Sequence, residues 1–174
     1  MPKGVYERKP RQIEIRKAIV KDGCTLIVLG NGGYSTIDLK NTWVEKYKWW
    51  KGRDGYAYTS RGGKNFTLHR LIAQTPKNMS TDHINGDKLD NRTANLRVCT
   101  HAQNCRNQKL KTSNTSGYKG VYWNKDVSKW VAQIRIDGKV TSLGLFNDIK
   151  EAAKVYDKTA RIHHGEFARL NHGA

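Results

Sequence analysis

Between Gln108 and Ser116 the chain reads Gln-Lys-Leu-Lys-Thr-Ser-Asn-Thr-Ser, and the apolar periodicity found on either side of it stops. A stretch of this composition has no face to bury and reads as a connector. It divides the 174 residues into a unit spanning 1–108, a basic linker at 109–116 and a unit spanning 117–174. Hydrophobic residues make up 37% of the chain, which suffices for two small cores. The expected fold class is α+β. A β-rich first unit would carry a strand–turn–strand–helix segment within residues 78–108, and the second unit would be a small three-stranded antiparallel sheet packed on one helix.

Charge narrows the partner. Lys and Arg number 32 against 15 Asp and Glu, a net charge of +17. An excess of this size selects a polyanion, nucleic acid first. Residues 117–174 hold ten Lys and Arg against six Asp and Glu, so +13 of the +17 lies in the first 116 residues. Non-specific phosphate attraction is therefore expected mainly from the first unit. Lys109 and Lys111 place part of that charge in the linker, where each neutralised phosphate would release counterions.

Chemistry is concentrated between Asp82 and Asn107. Asp82 and His83 are adjacent, and Asn85-Gly86-Asp87 signals a turn. Asn95-Leu96-Arg97-Val98 reads as a short strand. Thr100 and Gln103 have capping-box spacing, which puts Asn104 in the first turn of a helix. Phosphodiester hydrolysis needs a base to activate water and a hard cation to neutralise the leaving oxygen. His83 suits the base, the Asp82 carboxylate and the Asn104 amide oxygen suit the cation, and Asn95 suits the role of holding the imidazole in one tautomer. Adjacent residues of an ideal strand point to opposite faces, so Asp82 and His83 share a site only where the backbone bends.

These residues resemble the ββα-metal motif of HNH nucleases, in the phage homing-endonuclease branch whose second and third letters are Asn. The letters map onto His83, Asn95 and Asn104, and Leu68-His69-Arg70-Leu71 resembles the segment that precedes the motif in that branch. The resemblance implies His83 as general base, Asn95 as its orienter, and Asp82 with Asn104 as ligands of one divalent ion per site, Mg²⁺ or another such as Mn²⁺. His69 and Arg70 are candidates for a supporting role.

The rest of the first unit reads as hairpins around a small β platform. Residues 24–29 and 34–39 are broken by Gly30-Asn31-Gly32-Gly33, and residues 56–59 and 65–68 flank the basic tip Arg61-Gly62-Gly63-Lys64. The opening ten residues read as a basic arm, and residues 11–20 as a strand or short helix. Cys24, Cys99 and Cys105 are odd in number and lack paired spacing, which favours a reducing compartment over a disulfide framework. No apolar run approaches the ~20 residues of a membrane span. The expected setting is the cytoplasm, as a phage protein acting in a bacterial host.

In the second unit, Tyr118 to Trp123, Lys129 to Ile136 and Lys139 to Phe146 read as three strands, the last two joined by an Asp137-Gly138 turn. Trp130, Ala132, Ile134 and Ile136 share one face of the middle strand; Val131, Gln133 and Arg135 share the other. Ile149, Ala152, Ala153, Tyr156 and Ala160 recur at helical spacing, and Gly165 ends the helix. The segments Tyr118-Lys-Gly-Val121, Trp130-Val-Ala-Gln-Ile-Arg135, Leu143-Gly-Leu-Phe146 and Glu151-Ala-Ala153 resemble the AP2/ERF DNA-binding domain. That resemblance implies that the sheet face away from the helix enters the major groove. By position it offers Lys119, Tyr122, Asn124, Gln133, Arg135 and Ser142 as DNA contacts. Ser142 stands where that family has Trp, so its base preference is not carried over.

The resulting expectation is a site-specific, homing-type DNA endonuclease. It would act on double-stranded DNA as a monomer or a transient dimer, nicking one strand per active site. The alternatives are a non-catalytic sequence-specific DNA-binding protein and a zinc-bound scaffold built on Cys99, His101, Cys105 and a further His.

Overall fold

The computed structural model describes residues 19–21 and 23–172. The expected basic arm, and all but the last two residues of the 11–20 segment, lie outside the described residues. The chain is a mixed α/β protein built from small antiparallel sheets. Strands β1 (Ile19–Lys21), β2 (Cys24–Val28) and β3 (Tyr34–Asp38) form the first sheet in sequence order. A 3-10 segment, Leu39–Lys46, leads to β4 (Trp50–Lys51), which joins the hairpin β5 (Ala57–Arg61) and β6 (Lys64–Thr67). The helix α1 (Leu68–Ile72) follows directly.

These pieces cohere because each gives up one apolar face. Ile27, Leu29, Ile37, Val44, Trp49, Ala57 and Leu68 form one buried cluster, against which Leu71, Ile72 and Leu89 pack. Each fully buried aliphatic side chain there contributes about 2 kcal/mol. The Trp49 indole N–H donates to the Val44 carbonyl at 2.9 Å, so the ring is buried without an orphaned donor.

Next come β7 (Ser80–His83), β8 (Leu96–Cys99) and α2 (His101–Arg106). The two strands pair antiparallel with Asp82 opposite Arg97 and His83 opposite Leu96. Both halves of the capping box form: Thr100 Oγ1 accepts from the Gln103 N–H, and Gln103 Oε1 accepts from the Thr100 N–H. The loop between the strands is clamped to the first sheet. Thr36 N–H donates to the Leu89 carbonyl at 2.8 Å, and Asn91 N–H donates to the Thr36 carbonyl at 2.7 Å. An edge of β3 thus extends into the loop with ladder-like bonds.

Beyond the connector, β9 (Val121–Asn124), β10 (Lys129–Ile136) and β11 (Lys139–Phe146) form a sheet with β10 in the centre, and α3 (Ile149–His164) covers one face. Ala152, Ala153, Tyr156 and Ala160 meet Val121, Ala132 and Ile134. The small alanines let the helix approach closely. The first strand begins later than its residues suggest, because Gly120 is at φ +74° and accepts a backbone bond from Gln133 outside the ladder. No helix among the described residues is long and apolar enough to cross a membrane.

Candidate active site

Asp82, His83 and Asn104 line a single cleft of about 340 Å³, with Tyr56, Lys88, Asn107 and Lys109 among its other walls. The strand gives way to a turn immediately after the Asp82-His83 pair, not between its members. β7 ends at His83, the Ile84 N–H donates to the Asn95 carbonyl, and the Gly86 N–H donates to the His83 carbonyl. Gly86 sits at φ +72°, and a Cβ there would lie 2.7 Å from Lys109 Cε. A residue with a side chain would therefore be strained and would also displace Lys109 from the rim.

Asp82 is 5% exposed and fully occupied on one oxygen. Arg97 Nε and a terminal Arg97 nitrogen donate to Oδ2 at 2.8 and 2.7 Å. Asn107 Nδ2 donates to both carboxylate oxygens, at 3.1 and 3.0 Å, and to the carbonyls of His83 and Ile84. The side of Asp82 Oδ1 not taken by Asn107 remains for another partner. The Asn104 carboxamide makes no side-chain hydrogen bond among the described residues, although its backbone N–H is satisfied by the Thr100 carbonyl at 3.0 Å. An available carboxylate oxygen and an uncommitted carboxamide on one cleft are a donor set suited to a hard divalent cation whose remaining positions are filled by water or phosphate oxygens. Among the described residues no three His, Cys, Asp or Glu side chains group as metal ligands.

His83 is 4% exposed, and its Nε2 lies 3.1 Å from Asn91 Oδ1. Burial lowers its pKa, while the hydrogen bond to Asn91 and the carboxylates of Asp82, Asp87 and Asp90 pull the other way. The orienting contact expected of Asn95 is made instead by Asn91. Asn95 Oδ1 accepts from the Asn85 N–H, and its Nδ2 donates to Asn85 Oδ1 and to the Asp90 carbonyl. Asn95 therefore fixes the turn that follows His83 and makes no hydrogen bond to the ring.

His69 packs between Tyr56 and His83, with ring centroids 4.7 and 5.1 Å away. Burial, followed by the His83 imidazole, pushes its pKa down to about 3, so the ring is neutral near pH 7. Arg70 donates to the carbonyls of Met79, Pro76 and Thr75, which braces the loop entering β7.

The candidate DNA contacts separate into groups. Lys109 and Lys111 are exposed beyond α2. Lys119 departs from expectation: it lies before β9, and its ammonium donates to the carbonyls of Arg106 and Gln108 at 2.6 and 2.8 Å. Burial in that position lowers its pKa to about 8. Strand register puts Tyr122, Gln133, Arg135 and Ser142 on the sheet face opposite α3. Asn124 Oδ1 accepts from the Asp126 N–H in the adjoining turn, and an Arg135 terminal nitrogen donates to the Gly138 carbonyl.

Sequence reasoning passed over Asn91, Arg97 and Asn107. Asn107 had a signal, because it stands one turn after Asn104 on the same helical face. Asn91 had none that separates it from an ordinary turn residue.

Residues 67–106 match the family described as HNH endonuclease. Uncharacterized HNH endonuclease L560 of Acanthamoeba polyphaga mimivirus is 32% identical over 161 residues, covering 84% of this chain and 79% of that one. Protein 3.8 of Escherichia phage T7 is 36% identical over 95 residues, 55% of this chain and 78% of the relative. YosQ, an SPbeta prophage-derived protein of Bacillus subtilis (strain 168) whose name carries the words HNH homing endonuclease, is 38% identical over 55 residues, 29% of this chain and 32% of its own. No solved structure matches the chain. With an imidazole, a carboxylate and a carboxamide on one cleft, and a relative aligned over most of both lengths, the chain belongs to the HNH endonuclease family and is a DNA nuclease.

Proposed function

We propose that the protein is a homing-type endonuclease that hydrolyses DNA phosphodiesters with a divalent metal, one strand per active site. The observation that carries this reading is the convergence of Asp82, His83 and Asn104 on one cleft. Asp82 Oδ1 and the Asn104 carboxamide would hold one ion, Mg²⁺ or Mn²⁺, which would supply charge stabilisation at the scissile phosphate and its leaving oxygen. His83 would take the proton from the attacking water through its neutral ring. Arg97 and Asn107 would keep the Asp82 carboxylate in place, and Lys109 at the rim would engage a flanking phosphate. One such site cuts one strand, so a double-strand break would need two copies or repositioning.

We further propose that residues 1–108 form the nuclease domain and that 117–174 form an AP2/ERF-like unit supplying sequence preference. A three-stranded sheet with one face free of the helix supports that assignment, with Tyr122, Asn124, Gln133, Arg135 and Ser142 as its reading surface. The phage T7 relative supports action inside an infected bacterial cell.

Supercoiled plasmid incubated with protein and Mg²⁺ is expected to relax to the nicked form. EDTA and His83→Ala should each suppress the conversion. Nicking by His83→Ala at the wild-type rate would remove the assigned base.

A further inference from the structure

The His83 ring is not held by the loop alone. Behind it runs a chain of buried polar groups that ends on the first sheet. Ser35 on β3 and Asn91 are both 0% exposed. Ser35 Oγ donates its one hydrogen to the Leu89 carbonyl at 2.9 Å. The same oxygen then accepts from Asn91 Nδ2, at 2.7 Å. The Asn91 amide is thereby turned with its carbonyl oxygen toward His83 Nε2, at 3.1 Å. A carbonyl oxygen can only accept, so Nε2 must carry the hydrogen.

We propose that Ser35, acting through Asn91, is a positioning residue that sets the tautomer of His83, leaving the Nδ1 lone pair as the base of the nuclease site. This rests on the proposed role of His83. Nδ1 makes no hydrogen bond among the described residues, and it is not one of their sealed orphan atoms. His83 also lines the cleft, so this nitrogen has a route to solvent and substrate. The neighbouring Tyr56 and His69 rings pack at centroid distances of 5.8 and 5.1 Å without a hydrogen bond to the imidazole. Asn91 is therefore the group that distinguishes the two nitrogens.

The strength of the selection follows from counting bonds in the alternative. With the Asn91 amide flipped, its NH₂ would face Nε2 and drive the proton to Nδ1, which destroys the base. Ser35 would then have to turn its hydrogen to Asn91 Oδ1 and abandon the Leu89 carbonyl. That carbonyl would keep only the Thr36 N–H, now at 2.8 Å. The second amide hydrogen would also lose the Lys88 carbonyl, which it meets at 3.5 Å. The observed arrangement is ahead by about one net hydrogen bond, a preference of about fivefold. β3 also grips Leu89 and Asn91 through Thr36, so the strand and the loop are tied on both sides of the relay.

The test is ¹⁵N–¹H correlation NMR of the His83 ring in the full chain, at a pH where the imidazole is neutral, paired with steady-state nicking kinetics. The wild type is expected to show predominantly the Nε2–H tautomer. Ser35→Ala removes one fully buried oxygen; it should bring the two tautomers near parity and lower kcat about twofold with KM unchanged. Thr25→Val, which alters a buried hydroxyl on the neighbouring strand that has no hydrogen-bond partner among the described residues, should leave both readouts at wild-type values. A wild-type Nδ1–H tautomer would overturn the proposal by itself, even if Ser35→Ala failed to fold. An unchanged Nε2–H signal in folded Ser35→Ala would overturn the role of Ser35. The NMR readout does not depend on cleavage, so an Nε2–H ring in a protein that cannot nick would sink the catalytic role of His83 and leave the relay standing.

Discussion

At the scale of single residues, the site pairs groups that are spent with groups that are free. Asp82, Asn91, Asn95, Arg97 and Asn107 are committed to hydrogen bonds, whereas the Asn104 carboxamide has none among the described residues. Removing Asn104 leaves no buried partner behind, so stability should barely change. Asn104→Ala is expected to reduce nicking at least about a hundredfold while the DNA dissociation constant stays within about twofold. Equal loss of binding and cleavage in a gel-shift and nicking pair would mark the residue as structural. His69 makes the opposite kind of prediction. Its folded pKa of about 3 lies below the 6.5 of an unperturbed ring. As pH falls through 6.5 the unfolded chain takes up a proton that the folded chain refuses, so stability is lost until the folded ring also titrates near 3. The loss is on the order of 5 kcal/mol across the whole window. His69→Phe retains an aromatic ring against Tyr56 and His83 but cannot titrate. Its urea midpoint should fall less than that of the wild type on going from about pH 7 to about pH 4.5. Parallel shifts in the two proteins would assign the acid sensitivity elsewhere.

At the scale of elements, what the sequence revealed depended on how local the cause was. The hairpins of the first unit and the three strands and helix of the second followed from alternation, turn residues and helical spacing, all set within a few residues. The capping box of α2 was readable for the same reason. The choice between Asn91 and Asn95 was not, because both sit in one polar loop. The partner of His83 is decided by Ser35 and Thr36 on a strand some fifty residues earlier. Lys119 was misplaced by a boundary. The expected strand began at Tyr118, but regular pairing starts at Val121, and the lysine before it turns back onto the α2 end. Gly120 fixes that boundary. A Cβ at φ +74° would run into the Tyr156 ring and the Gln133 carbonyl. Gly120→Ala should therefore cost about 3 kcal/mol, read as a fall in thermal midpoint, with the far-UV spectrum of the folded state unchanged. A midpoint within a degree or so of wild type would mean that strand and helix separate there at little cost.

At the scale of the whole molecule, the two units share one cation. Arg97 bonds Asp82 in the cleft, donates to the Glu166 carbonyl at 2.7 Å, and stacks over the Phe167 ring at 3.9 Å from its centroid. The chain after the connector therefore does more than tether the proposed reading surface, since it holds the guanidinium that holds a proposed metal ligand. Deleting residues 117–174 should for that reason have two separable effects. Most of the net charge remains in the first 116 residues, so non-specific DNA affinity and its salt dependence should fall only modestly. On the proposed division of labour, discrimination between sites should collapse, because the proposed reading face is gone. Cleavage of non-specific DNA should also drop severalfold as Arg97 loses its outer partners. Phe167→Ala in the full chain separates the two causes. It keeps the sheet face and loosens Arg97, so kcat should fall about three- to tenfold with site preference intact, the loss expected when a desolvated cation–π contact is removed. If Phe167→Ala nicks at the wild-type rate while the truncation does not, the slower cleavage belongs to weakened DNA placement, and the Arg97 bridge is only a docking contact.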